Sequence, residues 1–210
     1  MRKETSIPRN GYDLVNDQKM AEYYGQKAFE WSYENKSLSD PALWNDLSKL
    51  YEAGIGVEQN NTLAFHWLSE GANHGHAKSQ CDLGDAYRLG IGVIQNSEQA
   101  AYWFGKSAHQ GYANAQYWLG YCYYFGEGVA TNEVTAAEWV KKAAEQGSVS
   151  SYYFLGVMYE ECEGTDGKQY ATHLKLSNEQ AIFWWRKAAK QGYRNAISAL
   201  KALGVDWNTE

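Results

Sequence analysis

Apolar positions along this chain recur with a helical period, and the helical stretches themselves recur. Leu47, Leu83, Leu119 and Leu155 stand 36 residues apart, and Tyr51, Tyr87, Tyr123 and Tyr159 keep the same offset. Each Leu precedes its Tyr by four positions, so both lie on one face of a helix. A second set follows further along each unit: Trp67, Trp103 and Trp139, then Gly75, Gly111 and Gly147. A fourth copy carries Ala181, Trp184, Lys187, Ala188, Ala189 and Gly192 at a displacement of 45, so nine residues are inserted between Tyr159 and Ala181. Self-similarity at this period is the mark of a helical-repeat array.

Each unit reads as two antiparallel helices. In the second copy the first helix spans about 77–89 and stops at Gly90, where a left-handed residue closes a helix end without a Cβ clash. Gly92 permits a further unusual dihedral. The second helix is capped by Asn96, as its counterparts are by Asn60, Asn132 and Ser177; Ser177 with Gln180 makes a capping box. Ala64, Ala100, Ala136 and Ala181 are small where the helices close on one another, and Gly84, Gly120 and Gly156 are the matching thin spots. The tryptophans, with Trp184 in the fourth copy, are expected to supply the large apolar area that holds each pair together.

The ends follow from the same logic. Residues 1–15 read as a loose tail, 16–36 as an N-terminal capping helix (about 17–32) and 37–76 as repeat one. Residues 77–112, 113–148 and 149–193 are repeats two to four, the last with the insertion. Residues 194–204 are a C-terminal cap, followed by a tail at 205–210. Half-repeats shield apolar faces that have no neighbour to stack on.

Leu-Gly-x-x-Tyr in the first helix, Gly-x-Gly-Val between helices and Ala-x-x-Trp…Ala-Ala…Gly in the second resemble the Sel-1-like repeat, a relative of the tetratricopeptide repeat. Ser48 replaces the first-helix glycine in repeat one, and repeat four reads Cys162-Glu163-Gly164-Thr165 where the linker should be. The resemblance implies an all-α fold, a right-handed α/α solenoid, and a bacterial origin. It also implies a scaffold or adaptor role in host interaction, envelope signalling or toxin neutralisation. A cysteine-rich branch of the family is reported to bind or cleave penicillin-like molecules, but its paired cysteines are missing here, so that activity is not carried over.

Composition narrows the partners. Nineteen basic against 25 acidic side chains give a net charge of −6, which argues against nucleic acid and anionic lipid as partners. No apolar run approaches the roughly 20 residues that cross a bilayer, and MRKETSIPRN has no signal-like core. A cytoplasmic monomer with a protein or peptide partner is expected from the chain as given, the alternative being a periplasmic or secreted protein whose leader has been removed. Cys81, Cys122 and Cys162 do not suggest a disulfide framework.

In such an array the first helices line the concave side. Their second, fifth, ninth and twelfth positions should face the groove: Asn45, Lys49 and Glu52; Lys78, Cys81, Asp85 and Arg88; Asn114, Tyr117, Tyr121 and Tyr124; Ser150, Tyr153, Val157 and Glu160. The expected partner-binding set is Tyr117, Tyr121, Tyr124 and Tyr153 flanked by Asp85, Arg88, Asn114 and Glu160, since tyrosines suit interface centres. The alternative is that these rings pack against neighbouring helices. The insertion, Glu163–Leu176, is a second candidate surface.

Catalytic chemistry is not expected. The Gly-x-Gly-Val segments lack the Lys-Ser/Thr of a phosphate loop. Ser198-Ala199-Leu200-Lys201 matches a Ser-x-x-Lys tetrad without its Lys-Thr-Gly companion, and supports a β-lactam-binding or hydrolase reading only as a disfavoured alternative. A structural or antigenic surface protein is a further alternative. His74-Gly75-His76 falls short of a metal site. No cofactor is expected.

Overall fold

The computed structural model describes residues 26–27, 29–30, 33–35, 40–160 and 178–208. The chain divides into two compact units, Met1–Gln95 and Asn96–Glu210. The first contains α1 (Pro41–Ala53), α2 (Asn61–Asn73) and α3 (Ala77–Leu89). The second contains α4 (Ser97–His109), α5 (Ala113–Phe125), α6 (Glu133–Glu145), α7 (Val149–Glu160), α8 (Asn178–Lys190) and α9 (Arg194–Ala202). All regular structure among the described residues is helical, and the fold class is an all-α helical repeat.

The helix ends are where local chemistry puts them. Asn60, Asn96 and Asn132 sit in extended backbone and accept from the amides of Leu63, Gln99 and Thr135 at 2.9, 3.0 and 3.0 Å. Asp40 caps α1 through the Ala42 amide, with Pro41 in the first turn where its missing N–H costs nothing. Gly90 and Gly126 close α3 and α5 in the left-handed region.

The second linker glycine does more than turn the chain. A Cβ on Gly92 would collide with the Asn61 carbonyl, and one on Gly128 with the Ser97 carbonyl. Each linker therefore lies directly against the N-terminus of the preceding repeat's second helix. Buried glutamines seal the opposite end of the same helices: Gln80 donates to the Ala72 carbonyl at 3.0 Å and Gln116 to that of Ala108 at 3.3 Å.

The four repeat leucines are all buried. The tryptophans play a different part from the one expected. Trp67, Trp139 and Trp184 are only half-buried, and Trp103 keeps 9% of its surface exposed. The residue after each of them (Leu68, Phe104, Val140 and Trp185) fills the interior. One residue further round the helix turns the side chain from the rim of the helix pair to its centre. Trp185 is 1% exposed, donates its indole N–H to the Tyr153 carbonyl at 3.2 Å, and occupies the space that Gly156 leaves by having no Cβ. Gly120 likewise admits Val140 and the Ala136 backbone. The rim indoles carry lysines instead: Lys142 lies 4.0 Å from the Trp139 ring centroid, Lys187 4.9 Å from Trp184 and Lys106 5.1 Å from Trp103.

At the N-terminal end, described residues 26–27, 29–30 and 33–34 are helical, and Phe29 meets Tyr51 edge-on at 5.3 Å. At the other end α9 buries Ala196 and Leu200. Residues 205–208 are tied down where a loose tail was expected. Val205 and Trp207 pack on the core of the second unit, and Arg186 donates to the Asp206 carbonyl at 3.4 Å. Residues 1–25, the Ser177 cap with its box, Cys162 and the insertion Glu163–Leu176 lie outside the described residues.

Candidate partner-binding faces

In the first unit the expected groove positions of α1 and α3 form a polar network. Asn45 and Cys81, both expected to face the groove, are each 3% exposed. The reason is lateral packing, because the fifth position of α1 looks at α3. Asn45 donates to Asp82 Oδ2 at 3.0 Å and accepts from Lys78 Nζ at 2.7 Å. Lys78 and Lys49 also reach Asp82 Oδ2, at 3.0 and 3.4 Å, and Lys49 reaches Glu52 at 3.3 Å.

Burial acts to raise the Asp82 carboxyl, but the Asn45 hydrogen bond, Lys49 and Lys78 outweigh it and hold the group below the usual range. For Lys49, burial acts downward and is overcome by Asp82 and Glu52, so its ammonium is held above the usual range. Asp85 is held above its ordinary range, chiefly by burial, which the nearby Arg88 offsets only in part. Burial, with Asp85 and Asp82 nearby, pushes the Cys81 thiol strongly up, which suits an inert structural cysteine. Cys122 is a free, buried thiol as well.

Asp85 and Arg88 pair on α3, Arg88 donating from Nε and a terminal nitrogen to the same oxygen, Oδ1, at 3.0 and 2.8 Å. They line a cleft of about 240 Å³ where α1, α2 and α3 meet.

In the second unit the equivalent positions are aromatic. Phe154 of α7 occupies the repeat position that Asp82 holds in α3. Tyr117, Tyr121 and Tyr124 of α5 gather around it, with ring centroids at 5.9, 6.0 and 5.3 Å. All three tyrosines are half-buried, so they contribute to packing as well as to surface.

Phe125, which the groove spacing does not pick out, stacks on Phe154 at 6.2 Å and packs at a tilt against Tyr121 at 4.5 Å while remaining 52% exposed. It is the most open ring of the cluster. Tyr153 does not join this group. It pairs with Tyr193 at 5.2 Å, and burial, Tyr193 and Glu160 together raise its phenol. Asn114 and Glu160 are exposed.

The sixth repeat position, with Asp82 and Phe154, is thus the hub that the periodicity alone overlooks. Its signal is a parallel change of chemistry: Asn45, Lys49 and Asp82 in one unit become Tyr117, Tyr121 and Phe154 in the other.

The chemical alternatives have little support in the geometry. Ser198 and Lys201 are both exposed on α9. His74 Nδ1 bonds the Glu70 carbonyl and His76 Nδ1 bonds Ser79. Among the described residues no group of three or more His, Cys, Asp or Glu side chains is arranged to hold a metal, and no helix is long and apolar enough to cross a membrane.

The family model of the Sel1 repeat matches residues 45–76, 77–112, 113–148 and 149–193. The chain belongs to the Sel1-repeat family. Proteins built from Sel1 repeats generally mediate protein interactions without catalysis.

Two solved Sel1-type structures are similar. A protective antigen of uropathogenic Escherichia coli strains, displaying an SLR fold, is 33% identical with a TM-score of 0.74 over 83% of this chain and 36% of that one. A Sel1 repeat protein from Oxalobacter formigenes is 31% identical with a TM-score of 0.71 over 85% of this chain and 49% of that one. The present chain therefore spans about a third to a half of their lengths. An immunity protein from Pseudomonas aeruginosa, 20% identical with a TM-score of 0.56 over 90% of this chain and 66% of that one, shares the fold. No curated protein sequence matches the chain.

Proposed function

We propose that this Sel1-repeat chain is a non-catalytic scaffold that binds a protein partner through the aromatic face of α5 and α7. The observation that carries this reading is Phe125, half open to solvent on a platform of Tyr121, Tyr124 and Phe154. Aromatic side chains lose little conformational entropy on binding and bring large apolar area, so an ordered cluster with one exposed ring suits an interface centre. Glu160 and Asn114 supply polar groups on the helices that carry the face.

Partners captured from the native organism by the intact chain would be purified and titrated calorimetrically. Phe125→Ala is expected to weaken the true partner about tenfold or more while thermal unfolding stays within about 0.5 kcal/mol of the parent, as for most surface changes. Equal affinity in parent and variant would remove the aromatic face from the interface.

A further inference from the structure

The cleft of the first unit is chemically unlike the aromatic face and does not depend on it. Its lining combines apolar Phe65, Leu68, Leu89 and Ile91 with charged Lys49, Glu52, Asp82, Asp85 and Arg88. At about 240 Å³ it falls below the roughly 300–1,000 Å³ of sites that enclose a whole small-molecule ligand. It is scaled to one long side chain.

The charges are unevenly satisfied. Asp82 takes Asn45, Lys78 and Lys49 all at Oδ2. Lys49 is shared between Asp82 and Glu52. Arg88 donates twice to Asp85 at Oδ1, and Lys49 approaches Glu52 at Oε2. Among the described residues, Asp85 Oδ2 and Glu52 Oε1 accept no hydrogen bond. The lining holds three carboxylates against two cations, so its formal balance is negative. An anionic visitor would meet the excess of carboxylates; a cation would find Asp85 Oδ2 and Glu52 Oε1 open and aliphatic side chains for its methylene stem. The Asp85 carboxyl lies high chiefly because it is buried, with Asp82 adding to the effect.

We propose that this cleft seats an arginine or lysine side chain, followed by an aliphatic residue, from an extended segment of a protein partner. The guanidinium or ammonium meets Asp85 Oδ2 and Glu52 Oε1, and the neighbouring aliphatic side chain covers Leu89, which is 55% exposed at the rim.

The test uses the full chain and three acetylated, amidated pentapeptides: Ala-Leu-Arg-Leu-Ala, its citrulline counterpart and its glutamate counterpart. Amide chemical shifts and calorimetry report binding. The arginine peptide is expected to bind, shifting amides of α1 and α3, and to bind about tenfold more tightly than the citrulline peptide. Asp85→Asn combined with Glu52→Gln should abolish that preference. Leu89→Ala should weaken all binding while keeping it, and Phe125→Ala should leave it unchanged. The last result separates this proposal from the fate of the aromatic face. Equal binding of the citrulline peptide, tighter binding of the glutamate peptide, shifts confined to the second unit, or no binding at millimolar peptide would each overturn it.

Discussion

Asp82 shows how one side chain sets the character of a whole face. Its carboxylate gathers Asn45, Lys49 and Lys78, and these partners hold its protonation below the usual carboxylate range. A carboxyl depressed in the folded state adds stability above its unfolded value and loses it as pH falls through the folded one. Asp82→Asn is therefore expected to cost about 1.5–3 kcal/mol near neutrality. The gap between parent and variant should close in acid, below the ordinary carboxylate range, as followed by urea unfolding across pH.

Trp184 and Trp185 make the same point for apolar groups. Adjacent in sequence, one is a rim ring stacked on Tyr152 and covered by Lys187, the other a core ring under Gly156. Trp185→Ala should cost about 3–5 kcal/mol in thermal or denaturant unfolding, as expected for a large core truncation. Trp184→Ala should cost clearly less.

At the level of the element, the linkers decide how closely successive repeats approach. Gly128 and Gly147 both adopt positive φ, at 74° and 90°, but only Gly128 faces backbone, the Ser97 carbonyl; nothing lies within 4 Å of a Cβ on Gly147. Each change to alanine carries the strain of a left-handed residue, about 1–3 kcal/mol. Gly128→Ala carries the displacement of α4 in addition. Comparing the two variants by chemical denaturation should place Gly128→Ala well below Gly147→Ala in stability. The caps act on a smaller scale: Asn132→Ala should remove about 1 kcal/mol, seen as earlier amide exchange in the first turn of α6.

For the molecule as a whole, the same repeat serves two chemistries. The hub position is ionic in the first unit and aromatic in the second, while the net charge is −6. The two faces should therefore respond differently to salt. Association through Phe125 and its tyrosine platform should be nearly salt-tolerant. A cation held by Asp85 and Glu52 should weaken steadily as ionic strength rises, because a partly exposed charge pair is screened. Titrations of each ligand at low and high salt distinguish the two.

What the amino-acid order determined by itself is everything governed by short-range rules written several times over. The helix pairs, their Asn caps, their Gly stops and the buried Leu series all follow from a 3.6-residue period and from backbone preferences within a few residues. Repetition at 36 residues separates those signals from chance, and the Sel1 family follows from them.

The faces were legible only in part. Tyr117, Tyr121 and Tyr124 do come together, but Tyr153 leaves them for Tyr193, and Asn45 and Cys81 turn out buried. Phe125, Phe154 and Asp82 could not be chosen from spacing. Whether a side chain on the outer face of a helix meets water or the next repeat depends on the distance and rotation between helices far apart in sequence. Only the tertiary structure decided which rings were left open and which carboxylate oxygens were left without a donor, because both are properties of the space between helices.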